Sequence, residues 1–220
     1  MSNYFLMMEL LSDTTFGRGD GVAGLLDQEV EYDAYGFPYL RGRTLKGLLS
    51  EECENIIYTL PNQDRWYLAL DQLFGVDGSG IGTIAQMHIG DACISQKLRS
   101  VVEMQINQDR SKKSKITSTD ILCSLTTIRR QTAIDPVDGV ADDRSLRSSR
   151  VILRERCFFA SLTFDANPTS DMLALLTVGI LALRRVGSGR NRGRGHVRCL
   201  LNNENLTQEH FQYFQREANK

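Results

Sequence analysis

Hydrophobic and polar positions divide the 220-residue chain into short blocks of two different periods. "NYFLMMELLS" (3–12) is an apolar run with aromatic character and predicts a buried strand. A Gly/Asp-rich connection follows over 13–37, far longer than the usual link between packed elements, and loops of that length are usually functional. Leu45, Leu48, Leu49, Cys53, Ile56 and Ile57 then recur at helical spacing, with Glu51, Glu52 and Glu54 on the other face. A second short helix is expected over 66–74. Gly78, Gly80 and Gly82 break the chain before "TIAQMHIGDACIS" (83–95), which alternates like a strand. Residues 97–127 are polar and charged, with "DRSKKSK" at the tip, and read as an excursion from the core, a hairpin being one form it could take. "RCFFASLTFDA" (156–166) is a clear strand, and Pro168 and Ser170 introduce a helix over 172–183 that is apolar nearly all round. A glycine–arginine loop, a last strand "GHVRCLL" (195–201) and a polar tail (202–220) with a short helix complete the chain.

This order predicts an α+β fold, a ferredoxin-like β-α-β-β-α-β core over 1–201 with insertions. RNA-binding domains often use that arrangement, with the sheet face or its loops against single strands.

Composition changes the picture mainly through where the charge lies. The formal net charge is −1, yet residues 1–35 carry seven acids against Arg18 alone. The stretch "RRVGSGRNRGRGHVRC" (184–199) carries six arginines and four glycines and no acid. Glycines allow close backbone approach and expose N–H donors, and arginines add bidentate phosphate contacts. Gly187, Gly189, Arg190, Arg192, Gly193, Arg194 and Gly195 are therefore candidate contacts to a sugar–phosphate backbone. A P-loop would need Gly-Lys-Ser/Thr, and a dinucleotide fingerprint would need strand before and helix after; neither is present. Arg41, Arg43 and Lys46 stand at a helix start whose N–H groups attract anions, and a groove shared with the arginine loop is expected.

The five cysteines are widely spaced, which excludes a C-x-x-C zinc or redox motif and gives no reason to expect a dedicated zinc site. Cys53 and Cys157 are expected to be buried reduced thiols. The start of the chain has no basic n-region, and the longest apolar segment, Met172 to Leu183, is too short for a bilayer, so a cytoplasmic protein without membrane contact is expected.

Four stretches in register carry a family resemblance: "GSGRNRGRG"; "GLLDQEVEYDAYGFPYLRGRTLKGLLSEE" (24–52); "LFG" at 73–75 with "HIGDA" at 88–92; and "RRQTAIDPVDGVADDRSLRSSRVILRERCFFASLTF" (129–164). Together they resemble the RAMP superfamily of CRISPR-associated proteins, and most of all the backbone subunits of type III effector complexes. The resemblance covers roughly 3–201. It implies a fold like an RNA recognition domain, a thumb hairpin for which 97–127 is the candidate, and a subunit packing with others along a guide RNA. It further implies cleavage of complementary target RNA by an aspartate of the first long loop. The motif points to Asp27, with Asp20 and Asp33 as alternatives in the same loop. A carboxylate there can take the 2′-hydroxyl proton or hold a divalent cation, Mg²⁺ by expectation. Family members that only hold RNA or cap the complex, and others that process guide RNA with a histidine, remain open alternatives. Of His88, His196 and His210, only His196 lies beside the glycine loop.

Overall fold

The computed structural model describes residues 4–76, 84–108, 116–135, 137–142, 145–218 and 220. The glycine break at 78–82 and the "DRSKKSK" tip at 109–115 lie outside the described residues.

Strand β1 (Tyr4–Leu10) is central and pairs antiparallel with β7 (Cys157–Phe164) on one side and β8 (Val197–Leu201) on the other. Beyond β7 lie the collinear pieces β3 (Met87–Ile89) and β4 (Ala92–Ile94), and the two-residue β2 (Tyr39–Leu40) pairs with β4 at the edge. Taking β3 and β4 as one interrupted strand, the order is that of the ferredoxin-like sheet, as expected from the sequence. Period-2 alternation sends Leu6, Met8, Leu10, Phe158, Ala160, Leu162, Val197, Cys199 and Leu201 to one face, where all are buried.

That face is covered by α1 (Gly42–Ile57), α2 (Gln63–Phe74) and α5 (Ser170–Ala182). Every residue of α5 from Met172 to Ile180 is buried, which explains a helix apolar all round: it is the middle of the helical layer. Gly179 allows the close crossing with α1, since a Cβ there would overlap the Cys53 thiol. The polar tail contains more structure than a short helix. α6 (Glu204–Glu217) packs on α5 and β8, and Arg65 of α2 bonds both Asp171 (2.7 Å) and Glu217 (2.8 Å).

Between Ile89↔Leu162 and Cys93↔Phe159 the register slips by one residue, a bulge at Gly90–Asp91. The bulge aims the Asp91 carboxylate at the start of α1, where it accepts from the Gly42 amide at 2.7 Å. A Cβ at Gly42 would overlap the Ile89 carbonyl oxygen, so glycine is required for this approach.

Where it is described, most of the 97–127 excursion is helical, and the residues that would form the turn of a hairpin, 109–115, lie outside the described residues. The excursion comprises α3 (Gln96–Gln108) and α4 (Ser118–Leu125), the latter opened by a capping box between Thr117 and Asp120. Leu122 is buried in the core, and Arg99 pairs with Asp33 at 2.6 Å, so part of the segment belongs to the body. A separate antiparallel ribbon is formed by β5 (Thr126–Gln131) and β6 (Arg147–Ile152). Cys53 is buried as expected; Cys157 is exposed, because it stands at the first position of β7 on the face opposite the helices.

Candidate RNA interface

The arginine loop is less flexible than its glycines suggest. Its base is closed by Val186 N–H to Gly195 O (2.9 Å) and Val197 N–H to Arg184 O (2.9 Å). Ser188 N–H donates to Thr15 O, Gly195 N–H donates to Asp13 O, and the buried Thr14 hydroxyl donates to Val186 O at 3.0 Å. At the tip, Arg190–Arg192 form one 3₁₀ turn between Gly189 and Gly193, both left-handed. The glycines thus divide into two roles. Gly187 and Gly195 seat the loop against Thr14 and Val186, whereas Gly189 and Gly193 shape the tip and have room beside them.

The first long loop reaches the same place by a different route. It doubles back on itself, with Arg18 N–H to Glu29 O (3.0 Å) and Glu31 N–H to Phe16 O (2.7 Å), and its returning arm lies parallel to β6. Asp27 N–H donates to Ser148 O at 2.9 Å, and the Ser148 amide donates back to Asp27 Oδ2 at 2.6 Å. No hydrogen bond among the described residues occupies Oδ1. Arg150 anchors this arm through its pair with buried Glu29, at 2.8 Å.

These elements enclose a cavity of about 710 Å³ lined by Asp27, Gln28, Gln131, Arg147, Ser149 and the loop from Ser188 to Arg194. Among the described residues Asp27 is the one carboxylate in its lining, which also holds Arg147, Arg190, Arg192 and Arg194. A second cavity of about 350 Å³ shares Ser188 and Arg190 with the first and continues past Arg41 and Thr44. The two adjoining cavities form a groove lined by Asp27 in the first, Glu31 in the second, and arginines in both. Among the arginines, Arg190 leans toward Glu51 at 3.8 Å and Arg41 bonds Glu31 at 2.7 Å. Tyr39 donates its hydroxyl to the same glutamate, and burial together with that bond pushes its phenol above the ordinary value.

The predicted site residues separate accordingly. Asp27, Arg41, Gly187, Gly189, Arg190, Arg192 and Arg194 line the groove, with Gly193 and Gly195 shaping it. Arg43 and Lys46 do not join it. They line another cavity, about 430 Å³, with Ser50, Glu54 and Asp71. Helical spacing is the reason: 41, 44 and 48 form one stripe of the α1 start, while 43, 46, 50 and 54 form the next. Burial lowers the Lys46 ammonium pKa. Nor is the N-terminus of α1 free for an anion, since Asp91 already caps it. Arg198 is paired with Glu9 across the sheet at 2.7 Å.

The loop's other aspartates have structural partners. Asp20 pairs with Arg18 at 2.6 Å, and Asp33 accepts from the Tyr35 and Phe37 amides and from Arg99. His88 bonds Asp165 on the exposed sheet edge, and His196 is exposed beside the loop, its amide bonded to Ser12. Gln28, Gln131, Arg147 and Ser149 were not singled out from the sequence; nothing local marks them, because the β5–β6 pairing and the bridge from Gln28 to Ser149 bring them to the groove.

Among the described residues no three His, Cys, Asp or Glu side chains stand together as a metal cage. Hydrated Mg²⁺ needs less, one carboxylate completed by phosphate oxygens and water, and Asp27 fits that donor role. No helix among the described residues is long and apolar enough to cross a membrane.

No curated protein sequence matches the chain. Among solved structures, it resembles a chain of a type III-B Cmr-beta complex determined by cryo-EM in the apo state. The TM-score is 0.63 at 13% identity, covering 92% of this chain and 98% of that one. A chain of the type III-B Cmr-beta complex bound to cognate target RNA is similar to the same degree: TM-score 0.62 and 13% identity, over 96% and 99% of the two chains. The RAMP superfamily model matches residues 7–198, nearly the whole ferredoxin-like unit and both walls of the groove, and the chain belongs to that superfamily.

Proposed function

We propose that the chain is an RNA-binding subunit of a type III CRISPR effector complex, holding guide RNA in the arginine-lined groove and cutting paired target RNA at Asp27. The observation that carries this reading is the meeting of Asp27 with Arg147, Arg190, Arg192 and Arg194 around one cavity, although the loop and the arginines lie far apart in sequence. Cationic side chains on a rigidly based loop suit a phosphate backbone, and such contacts position RNA without reading its sequence. The similarity to Cmr-beta chains, one of them from a complex with cognate target RNA, supports target RNA and further complex subunits as partners.

The chemistry follows from the carboxylate. The Ser148 amide holds Oδ2, leaving Oδ1 for a 2′-hydroxyl delivered along the groove. Asp27 takes that proton as the 2′-oxygen attacks the adjacent phosphorus. A divalent cation, when bound by Asp27 and phosphate oxygens, would supply charge neutralisation at the phosphate.

The test is to isolate the assembled complex with wild-type or Asp27→Asn subunit, extract its RNA, and assay a complementary target with Mg²⁺. Both complexes should carry guide RNA, and Asp27→Asn should cut at least ~10²-fold more slowly. A wild-type complex that carries guide yet leaves the target whole would favour a scaffold or cap role instead.

A further inference from the structure

The β5–β6 ribbon contributes a residue to the groove that lies within the 129–164 stretch of the family resemblance and to which that resemblance assigns no role. Arg147 opens β6 opposite Gln131 of β5, and directly paired residues send their side chains to the same face. Both line the Asp27 cavity, as does Ser149 two residues on. Both also line a cavity of about 630 Å³ together with Thr132, Asp142, Ser145 and Arg192, the last shared with the Asp27 cavity.

Arg147 differs from its neighbours in what its guanidinium does. Arg129 is held by Asp13 at 2.9 Å and Arg150 by Glu29 at 2.8 Å. Among the described residues Arg147 has no carboxylate partner, although it is next in chain to Ser148, whose amide fixes Asp27 Oδ2 at 2.6 Å. The backbone at 147 therefore stands next to the contact that holds Asp27, on the strand side of the bridge between β6 and the first loop. Groups carried on strands hold their positions better than groups on loops, which separates Arg147 from Arg192 and Arg194 at the loop tip.

We propose that Arg147 is a catalytic residue of the cleavage reaction, donating to the non-bridging oxygens of the scissile phosphate while Asp27 takes the 2′-hydroxyl proton. The inference rests on the function proposed above. In the step, the 2′-oxygen bonds to phosphorus and the bond from phosphorus to the 5′-oxygen breaks. The 2′-proton passes to Asp27, and the departing 5′-oxygen takes a proton from water. Asp27 then returns its proton to solvent, leaving a 2′,3′-cyclic phosphate and a 5′-hydroxyl. Negative charge grows on the non-bridging oxygens as phosphorus becomes five-coordinate, and the guanidinium that β6 carries to the cavity meets it there. Its planar fork suits two such oxygens, which a lysine cannot match.

Single-turnover cleavage of a complementary target by the assembled complex tests this with wild type, Arg147→Ala, Arg147→Lys and Asp27→Asn. Loss of one such donor typically lowers the rate ~10²–10³-fold, and Arg147→Ala should fall in that range when rates are normalised to guide-loaded complex. Added guanidinium should restore part of the Arg147→Ala rate and none of the Asp27→Asn rate. Arg147→Lys should cut faster than Arg147→Ala yet remain below wild type. Arg147→Ala cutting within about threefold of wild type, with Asp27→Asn inactive, would overturn the role of Arg147 and leave the proposed function standing. A loss that neither lysine nor guanidinium relieves would also overturn it, marking the side chain as structural. A wild-type complex that does not cut removes the proposed function, and this inference with it.

Discussion

Replacing Gly195 with alanine should damage the protein through its fold, because this glycine seats the arginine loop on the body. Its φ is +71°, where an L-residue costs about 1–2 kcal/mol. The new Cβ would also overlap the Val186 carbonyl oxygen, so the two chains must part. Parting them strains two backbone bonds, Val186 N–H to Gly195 O at 2.9 Å and Gly195 N–H to Asp13 O at 3.1 Å, each worth about 1 kcal/mol net. The expected loss is about 3–4 kcal/mol, or roughly 6–16 °C in Tm for a chain of this size. Gly193→Ala is the matched control. Its φ is +79°, but nothing lies within 4 Å of the added carbon, so only the conformational cost of about 1–2 kcal/mol applies. Thermal and denaturant unfolding of the two variants beside wild type provides the comparison. Equal losses within about 0.5 kcal/mol would refute the division of the loop glycines into seating and tip positions.

Arg190, Arg192 and Arg194 changed together to alanine should weaken single-stranded RNA binding whatever the sequence. The slope of log affinity against log salt should fall by about 2, at ~0.7 per lost phosphate contact, and an unchanged slope would mean a solvated loop. Asp33→Ala should destabilise the chain by about 2–3 kcal/mol in denaturant titration, since it removes the acceptor for two amides and for Arg99. Asp20→Ala, whose exposed pair with Arg18 is worth little, should stay within about 0.5 kcal/mol of wild type.

The ferredoxin-like core could be read from sequence because its elements are strongly periodic. β1 is a near-continuous apolar run, β7 and β8 carry their buried residues at every second position, and Leu45, Leu49, Cys53 and Ile57 mark the buried side of α1. The 97–127 segment was harder: α3 is polar enough to look like a solvent excursion, and the burial of Leu122 depends on tertiary contacts. α6 was undervalued for a related reason. Its anchors, Phe214 on Trp66 (4.8 Å) and Glu217 on Arg65, are partners from a helix about 150 residues earlier.

At the site, local composition identified the arginine loop but could not tell which glycines touch its own body. Arg41, Arg43 and Lys46 looked alike in sequence; the 3.6-residue period separates Arg41 from the other two. Asp27 came from a motif, and its distinction from Asp20 and Asp33 appears only in their partners. Arg147 sat in the 129–164 stretch with nothing to single it out there, since it reaches the groove through the pairing of β6 with β5 and with the returning arm of the first loop.

The central claim is that this groove holds RNA and that Asp27 turns the substrate's own 2′-hydroxyl against its phosphate. The most direct measurement compares two targets in the assembled complex, one all-RNA and one with a single 2′-deoxy nucleotide at the mapped cut site. Wild type should cut the first and leave the second whole at that position, while Asp27→Asn should be at least ~10²-fold slower on the first with guide RNA still bound. Cleavage of the deoxy-substituted target at the wild-type rate, or full activity in Asp27→Asn, would contradict the account.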